Sequence, residues 1–173
     1  YRSDEVRDGI ILASQLAEID PYRAATHNKG IMNGIDPLAI ATGNDWRAIE
    51  ASAHAFAAKT GRYKSLSKWQ ATSSGKLQGT LEIPLKVGTK GGSLGANETI
   101  QISQKLLGIT NAKELAELMG AVGLAQNFAA LRALATEGIQ KGHMSLHSRS
   151  VALTAGTPPK HFDEVVKKLK ESD

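Results

Sequence analysis

The chain has 173 residues, 41% of them apolar and 22% charged, the composition of an ordinary globular domain able to bury a core. Its net charge of +4 is modest, and its basic residues are scattered until Lys160–Lys170 without interleaved aromatics, so nucleic acid is not an expected partner. The absence of cysteine excludes a disulfide framework, a thiolate nucleophile and a cysteine zinc site, and fits a reducing compartment such as the cytoplasm.

No apolar run long enough to span a bilayer is read from the sequence, so no membrane partner is expected. Asp4 is read as an N-cap, and Val6, Ile10, Ile11, Leu12, Leu16 and Ala17 follow at helical spacing as far as Asp20-Pro21. A second, long helix is predicted from Pro21 to about Thr42, weakened by Gly30, Gly34 and Pro37. Each interior glycine costs roughly 1 kcal/mol against alanine. Glycines kept there imply close packing or a bend, and Pro37 implies a kink near Asn33.

A third helix is predicted from about Trp46 to Thr60, with Ile49, Ala53, Phe56 and Ala57 inward and Gly61 at its end. The pattern then alternates: Ser65–Thr72 and Leu77–Leu85, joined by Ser73–Lys76, predict a β-hairpin. The glycine-rich stretch Val87–Asn97 leads into a helix from about Glu98 to Leu107. Such loops can cradle phosphate, but the spacing is neither a Walker A motif nor a dinucleotide fingerprint, and a connector is the preferred reading.

Asn111 caps a helix running to about Ala135, with Leu115, Leu118, Met119, Val122, Leu124 and Ala125 as its apolar face and the amides Gln126 and Asn127 interrupting it. Thr136–Ala152 is polar, and Gly138 and Gly142 make it a hinged segment suited to act as a lid. A last helix is predicted from about His161 to Glu171, with Phe162, Val165, Val166 and Leu169 on one face. The fold class is α+β and mostly helical, with a long central helix and a small β-hairpin.

The chemistry concentrates in Arg23–Asp45. Lys29 is the only lysine or arginine between Arg23 and Arg47, and on a helix Asn33 lies one turn away on its face. A lone cation beside an amide, in a helix otherwise built to be packed, predicts a buried site. A buried lysine is costly without an anion, and Asp45, just past the helix end, is the natural partner. The opposing reading is a solvated lysine on a helix edge.

His143 and His147 are four residues apart and would share a helix face. No glutamate of a His-Glu-x-x-His pattern and no third ligand accompany them, so no metal is expected. A histidine on a mobile segment suits proton delivery instead. His27, His54 and His161 carry no pattern and are read as structural or surface residues.

The text of Asp20–Asp36, Ala41–Ala48, Gly123–Asn127 and Leu131–Arg149 closely resembles 3-hydroxy-3-methylglutaryl-CoA reductase of the soluble bacterial (class II) type, and the similarity covers nearly the whole chain. It departs at Ser93–Thr99, where no family contact is carried over. The resemblance implies a piece of a larger α/β enzyme: residues 1–137 as the C-terminal part of the catalytic, substrate-binding domain and 138–173 as an incomplete C-terminal helical flap.

It implies catalytic roles for Lys29, Asp45 and, on the flap, His143, with His147 in support. Arg23 and Asn33 match positions around the substrate, and Gln126 and Asn127 fall in a motif lining the same pocket. The implied reaction, a step of the mevalonate pathway, is a four-electron reduction of 3-hydroxy-3-methylglutaryl-CoA to mevalonate and CoA by two NADPH or NADH in succession. An ammonium such as Lys29 stabilises the oxygen charge that hydride attack builds. Asp45 keeps that ammonium charged and oriented, Asn33 fixes it by hydrogen bonding, and a protonated His143 neutralises the departing thiolate.

The family's catalytic glutamate and nucleotide-binding domain have no match from Tyr1 onward, so these residues alone are expected to be inactive. Family members are homodimers or higher oligomers with the site at the subunit interface. Two alternatives remain: a non-catalytic helical interaction segment with a structural polar cluster, and a nucleotide binder using Gly88–Gly95. The enzyme reading expects Lys29 and Asp45 within salt-bridge distance in a cleft that admits Asn33; if Lys29 points into solvent, that reading fails.

Overall fold

A computed structural model of the chain describes residues 3–92, 94–136 and 138–171, with side chains at all of these except 139–146 and 171. The chain divides into two compact units, Tyr1–Arg132 and Ala133–Asp173. The first holds α1 (Ser3–Ile19), α2 (Pro21–Ala41), α3 (Trp46–Ala57), β1 (Ser67–Ala71), β2 (Leu77–Leu81), a 3-10 turn at Leu94–Ala96, α4 (Glu98–Leu107) and most of α5 (Ala112–Ala135). The second holds α6 (Ile139–Thr154), a 3-10 turn at Pro159–His161 and α7 (Phe162–Glu171). The mostly helical α+β class and the single hairpin are as the sequence pattern predicts.

Local chemistry sets most boundaries. Asp20 caps α2 by accepting the Tyr22 N–H at 2.9 Å, and Pro21 occupies the first turn, where its missing N–H costs nothing. Pro37 does not end α2, which continues to Ala41. Asp4 lies inside α1 rather than capping it, and pairs with Arg7 one turn on at 3.0 Å. Asn97 caps α4 through the Thr99 and Ile100 amides, and Asn111 accepts the Glu114 N–H at 3.0 Å at the start of α5.

In the first unit α2 is the centre. Its residues Ile31, Met32, Ile35 and Ala39 join Ile49, Ala53 and Ala57 of α3 and Leu115 and Met119 of α5 in one apolar core. Burying a side chain such as Ile35 or Leu115 contributes about 1.5–3 kcal/mol. The glycines of α2 mark close approach. A Cβ on Gly34 would lie 2.8 Å from the Val122 carbonyl oxygen, and one on Gly123 would lie 2.9 Å from Ile35. The two helices therefore cross almost backbone to backbone.

The hairpin is antiparallel, with Ser67 opposite Leu81 and Trp69 opposite Gly79. A Cβ on Gly79 would meet the Trp69 ring at 2.6 Å, so glycine there lets the indole lie across the strand. The ring also packs on Phe128 of α5 at 5.4 Å.

The expectation that no segment has bilayer-spanning length is corrected at α5. Its most apolar stretch has a mean hydropathy of 1.3, long and apolar enough to cross a membrane by length and composition. Its buried residues Leu115, Met119, Gly123, Asn127 and Leu131 recur every fourth position, and the buried Asn127 amide is hydrogen-bonded to the hairpin. That is the stripe of a helix built into a protein core.

In the second unit α6 and α7 pack together. The segment read as a polar hinge, Thr136–Ala152, is largely helix. Among its described side chains only Ser148 and Ala152, small residues one turn apart, are buried, so helical periodicity is faint in the sequence. Gly138 at φ +78° precedes α6 and Gly156 at φ +69° follows it, and the Arg149 guanidinium lies over the Phe162 ring at 5.2 Å.

Candidate active site

The buried side of α2 is Ala24, His27, Asn28, Ile31, Met32, Ile35 and Ala39; the outer side carries Tyr22, Thr26, Lys29, Asn33, Pro37 and Ile40. Lys29 is the one Lys, Arg, Asp or Glu among the exposed residues of α2, with the half-buried Asp36 two turns on at nearly the same angle, and Tyr22 and Ile40 at the ends of the face are 87% and 59% exposed. Lys29 is thus exposed, not buried, which corrects the expectation. The charges missing from this helix are missing from its outer face. Such a bare face suits contact with another surface better than contact with water.

Lys29 and Asn33 share the face without a hydrogen bond between them, and no ion pair among the described residues joins Lys29 to Asp45. The geometry explains this. From Lys29 to Ala41 the helix climbs on the order of 18 Å. The expected salt bridge is not made within this chain, which corrects that expectation. Arg23, half-buried one turn before His27, bonds its guanidinium to the Thr26 hydroxyl.

Asp45 ends a tightly specified junction. The Thr42 hydroxyl donates to the Leu38 carbonyl at 2.7 Å, closing the end of α2. Gly43 takes φ +71°, and a Cβ there would fall 2.5 Å from Leu94 and from Ile100. Asn44 Nδ2 donates to the Gly88 carbonyl at 3.1 Å, while its Oδ1 accepts the Gly88 N–H at 2.7 Å. Asp45 itself caps α3 by accepting the Ala48 N–H at 3.1 Å through Oδ1.

A polar cluster missed by the sequence reading fixes the rotation of α2. Asn28, fully buried, accepts the Leu66 N–H at 2.8 Å and donates to the Lys64 carbonyl at 2.9 Å and to the Tyr63 hydroxyl at 3.1 Å. Asn127 Oδ1 accepts the Ser67 hydroxyl at 2.8 Å and the Trp69 indole N–H at 2.7 Å. Since Ser67 spends its single proton on Asn127, the 2.6 Å contact between His27 Nε2 and Ser67 Oγ is donated by the imidazole. His27 is therefore the Nε2–H tautomer, with Nδ1 buried and unpartnered. Burial, then the nearby Arg23 charge, pushes its titration down to about 4.

With two consecutive residues anchored inward, Lys29 is turned to the outside by the ~100° step of the helix. The one hint in the sequence was His27-Asn28 and Gln126-Asn127 as adjacent polar pairs in apolar helices. Asn127 was expected to line a substrate pocket. It is 1% exposed with its carbonyl oxygen doubly occupied, and is corrected to a structural residue. Gln126 is exposed and sits against Gly34, next to Asn33.

Asp36 of α2 faces Glu50 of α3; burial first, then the Glu50 carboxyl, raises Asp36 to about 6. His147 is exposed on α6, and the His143 side chain lies outside the described residues. The glycine loop follows coil rather than a strand and leads into the Leu94–Ala96 turn, so the described residues contain no strand–loop–helix unit that would hold a dinucleotide. An apolar groove of about 460 Å³, lined by Leu81, Ile83, Leu85 and Leu124 among others, touches none of the candidate residues.

Comparison with known proteins places these features. The family model described as hydroxymethylglutaryl-coenzyme A reductase matches residues 1–148. The 3-hydroxy-3-methylglutaryl-coenzyme A reductase of Archaeoglobus fulgidus is 57% identical over 163 residues, covering 94% of this chain and 37% of that protein. A probable reductase of the same name from Borreliella burgdorferi is 51% identical, covering 82% of this chain and 33% of its own length. The class II enzyme from Streptococcus pneumoniae, solved bound to NADPH in open conformations, superposes with a TM-score of 0.75 at 54% identity, over 98% of this chain and 41% of that one. The chain spans well under half the length of these relatives. By the family match and by this level of identity, the chain belongs to the hydroxymethylglutaryl-coenzyme A reductase family.

Proposed function

We propose that the chain supplies the lysine and aspartate of a reductase that interconverts 3-hydroxy-3-methylglutaryl-CoA and mevalonate plus CoA in the cytoplasm, at a site completed between two copies. The observation that carries the reading is the outer face of α2, where Lys29 stands beside Asn33 as the one exposed charge, between exposed Tyr22 and Ile40. A second copy lying on that face would exclude water around the ammonium, and the dry setting strengthens its hold on a developing oxyanion. It would also bring an Asp45 to Lys29, a pairing that the single chain does not make. Asp45 Oδ1 is taken by Ala48, which leaves the other oxygen for the ammonium.

Arg23 and Asn33 flank the substrate in this reading. A protonated His143, on residues 138–173 acting as a flap, neutralises the CoA thiolate. A nicotinamide dinucleotide, NADPH or NADH, supplies hydride when bound; the described residues offer it no fold to grip, and no contact is assigned to it here. The chain by itself is expected to show no turnover.

The test uses the native protein. Removing a preorganised oxyanion partner costs about 10²–10³ in turnover, so Lys29→Ala should lose at least that while its unfolding midpoint stays within about 2 °C. Turnover within tenfold of the parent would refute the role. Mixing Lys29→Ala with Asp45→Asn subunits should restore roughly a quarter of parental turnover if each site draws on two copies, and none if each site lies in one chain. A non-catalytic interaction segment is favoured by one observation, the exposed stripe Leu12, Leu16 and Ile19 along α1. That reading predicts unchanged activity in Lys29→Ala.

A further inference from the structure

We infer that Asn44 is a positioning residue that aims the Asp45 carboxylate by splinting the glycine loop to the α2–α3 junction. The inference rests on the proposed role of Asp45 and adds a residue to it. Asn44 pairs with both backbone groups of Gly88, its amide standing in for one rung of a β-ladder between segments 44 positions apart. The same Nδ2 also lies 3.0 Å from the Thr42 hydroxyl, which itself closes α2. Both polar atoms of the side chain are thereby engaged within the protein. With both N–H groups and one lone pair of the oxygen committed to Gly88 and Thr42, Asn44 acts on the reaction through its neighbours.

The neighbour on one side is Gly43, pressed under Leu94 and Ile100. On the other is Asp45, whose backbone is held between the Asn44 N–H to Ala39 O bond at 2.8 Å and the Ile49 N–H to Asp45 O bond at 3.1 Å. Of the Asp45 carboxylate, only Oδ1 is engaged in these bonds, and the residue is exposed. Without the Asn44 amide, the Gly88 N–H and carbonyl lose their partner, and the loop that covers Gly43 is free to part from the base of α3. The Ala48 capping bond on the Asp45 side chain then stands on a junction that has lost its tie to the loop.

The experiment is a double-mutant cycle in the native enzyme, with kcat and KM read separately. Misplacing a reacting group by about 1 Å costs up to about 10²-fold, so Asn44→Ala should lower kcat by roughly tenfold to a hundredfold with KM within about threefold. In an Asp45→Asn background the same change should lower kcat by less than about twofold, because its target is already gone. An equal loss in both backgrounds would overturn the inference and leave the Asp45 role standing. Parental kcat in Asp45→Asn would overturn that role and the inference with it. Should Asn44→Ala fail to fold, Asn44→Asp, which keeps the acceptor for the Gly88 N–H and loses the donor, carries the same cycle.

Discussion

His27 makes the chain's stability depend on pH in a calculable direction. The folded imidazole is 3% exposed, donates to Ser67 and has a buried Nδ1 without a partner among the described residues; burial, then the Arg23 charge, makes it titrate near 4 rather than at its ordinary 6.5. Unfolded, the same ring takes up a proton as pH falls through 6.5. Between 6.5 and about 4 the unfolded state therefore binds more protons than the folded state. The stability His27 allows is fully present above pH 6.5 and is lost as pH falls towards 4. At about 1.4 kcal/mol per pH unit the full loss is about 3 kcal/mol, of which roughly 2.5 kcal/mol falls between pH 7.5 and 4.5. Against a typical domain stability of about 5–15 kcal/mol that is a large share.

The assay is urea unfolding of the parent chain and of His27→Gln at both pH values. Glutamine keeps an N–H for Ser67 and cannot take up a proton. The mutant should be the less stable at pH 7.5 and lose about 2–3 kcal/mol less than the parent on acidification. Equal losses in the two proteins would refute the reasoning. Asp36 runs the other way: its folded carboxyl is raised to about 6, so its contribution is present at low pH and lost as pH rises through 6, which is why the comparison is made between variants.

Three further outcomes are expected. Gly34→Ala drives a Cβ into the Val122 carbonyl and should cost about 1–3 kcal/mol, whereas Gly120→Ala, with open space at its Cβ, should stabilise by roughly 0.5–1 kcal/mol; denaturant midpoints that fail to separate the two would contradict the close crossing of α2 and α5. Asn127→Ala strands the Trp69 indole N–H and the Ser67 hydroxyl and should cost about 2–4 kcal/mol. Red-shifted tryptophan emission should accompany it, and an unchanged midpoint would count against the buried cluster. Asp36→Asn should stabilise the chain at pH 8 and leave it little changed at pH 4, as followed by thermal melts across that range; the reverse order would mean that burial and the Glu50 carboxyl do not raise Asp36.

Where forces act between near neighbours, the sequence by itself determined the outcome. Asp20-Pro21, Asn97 and Asn111 satisfy helix ends within four residues of themselves, and the alternation around Ser73–Lys76 sets up the hairpin. The same holds for Gly34: its cost in a helix interior already demanded something packed against it. Polar α6 stayed hidden because the buried positions among its described side chains, Ser148 and Ala152, are small and give little periodicity. Which way Lys29 faces was not local at all. It is decided by Asn127 reaching Ser67 and Trp69, and by Asn28 reaching Leu66, over spans of 60, 58 and 38 residues. Those bonds form only once the burial of α2 against the hairpin and α5 has removed water from between them. Nor could spacing along the chain reveal that Lys29 and Asp45 form no ion pair in the folded chain. The rigid rise of α2, on the order of 18 Å from Lys29 to Ala41, separates the lysine from the helix end that Asp45 follows, and no local signal overrides it.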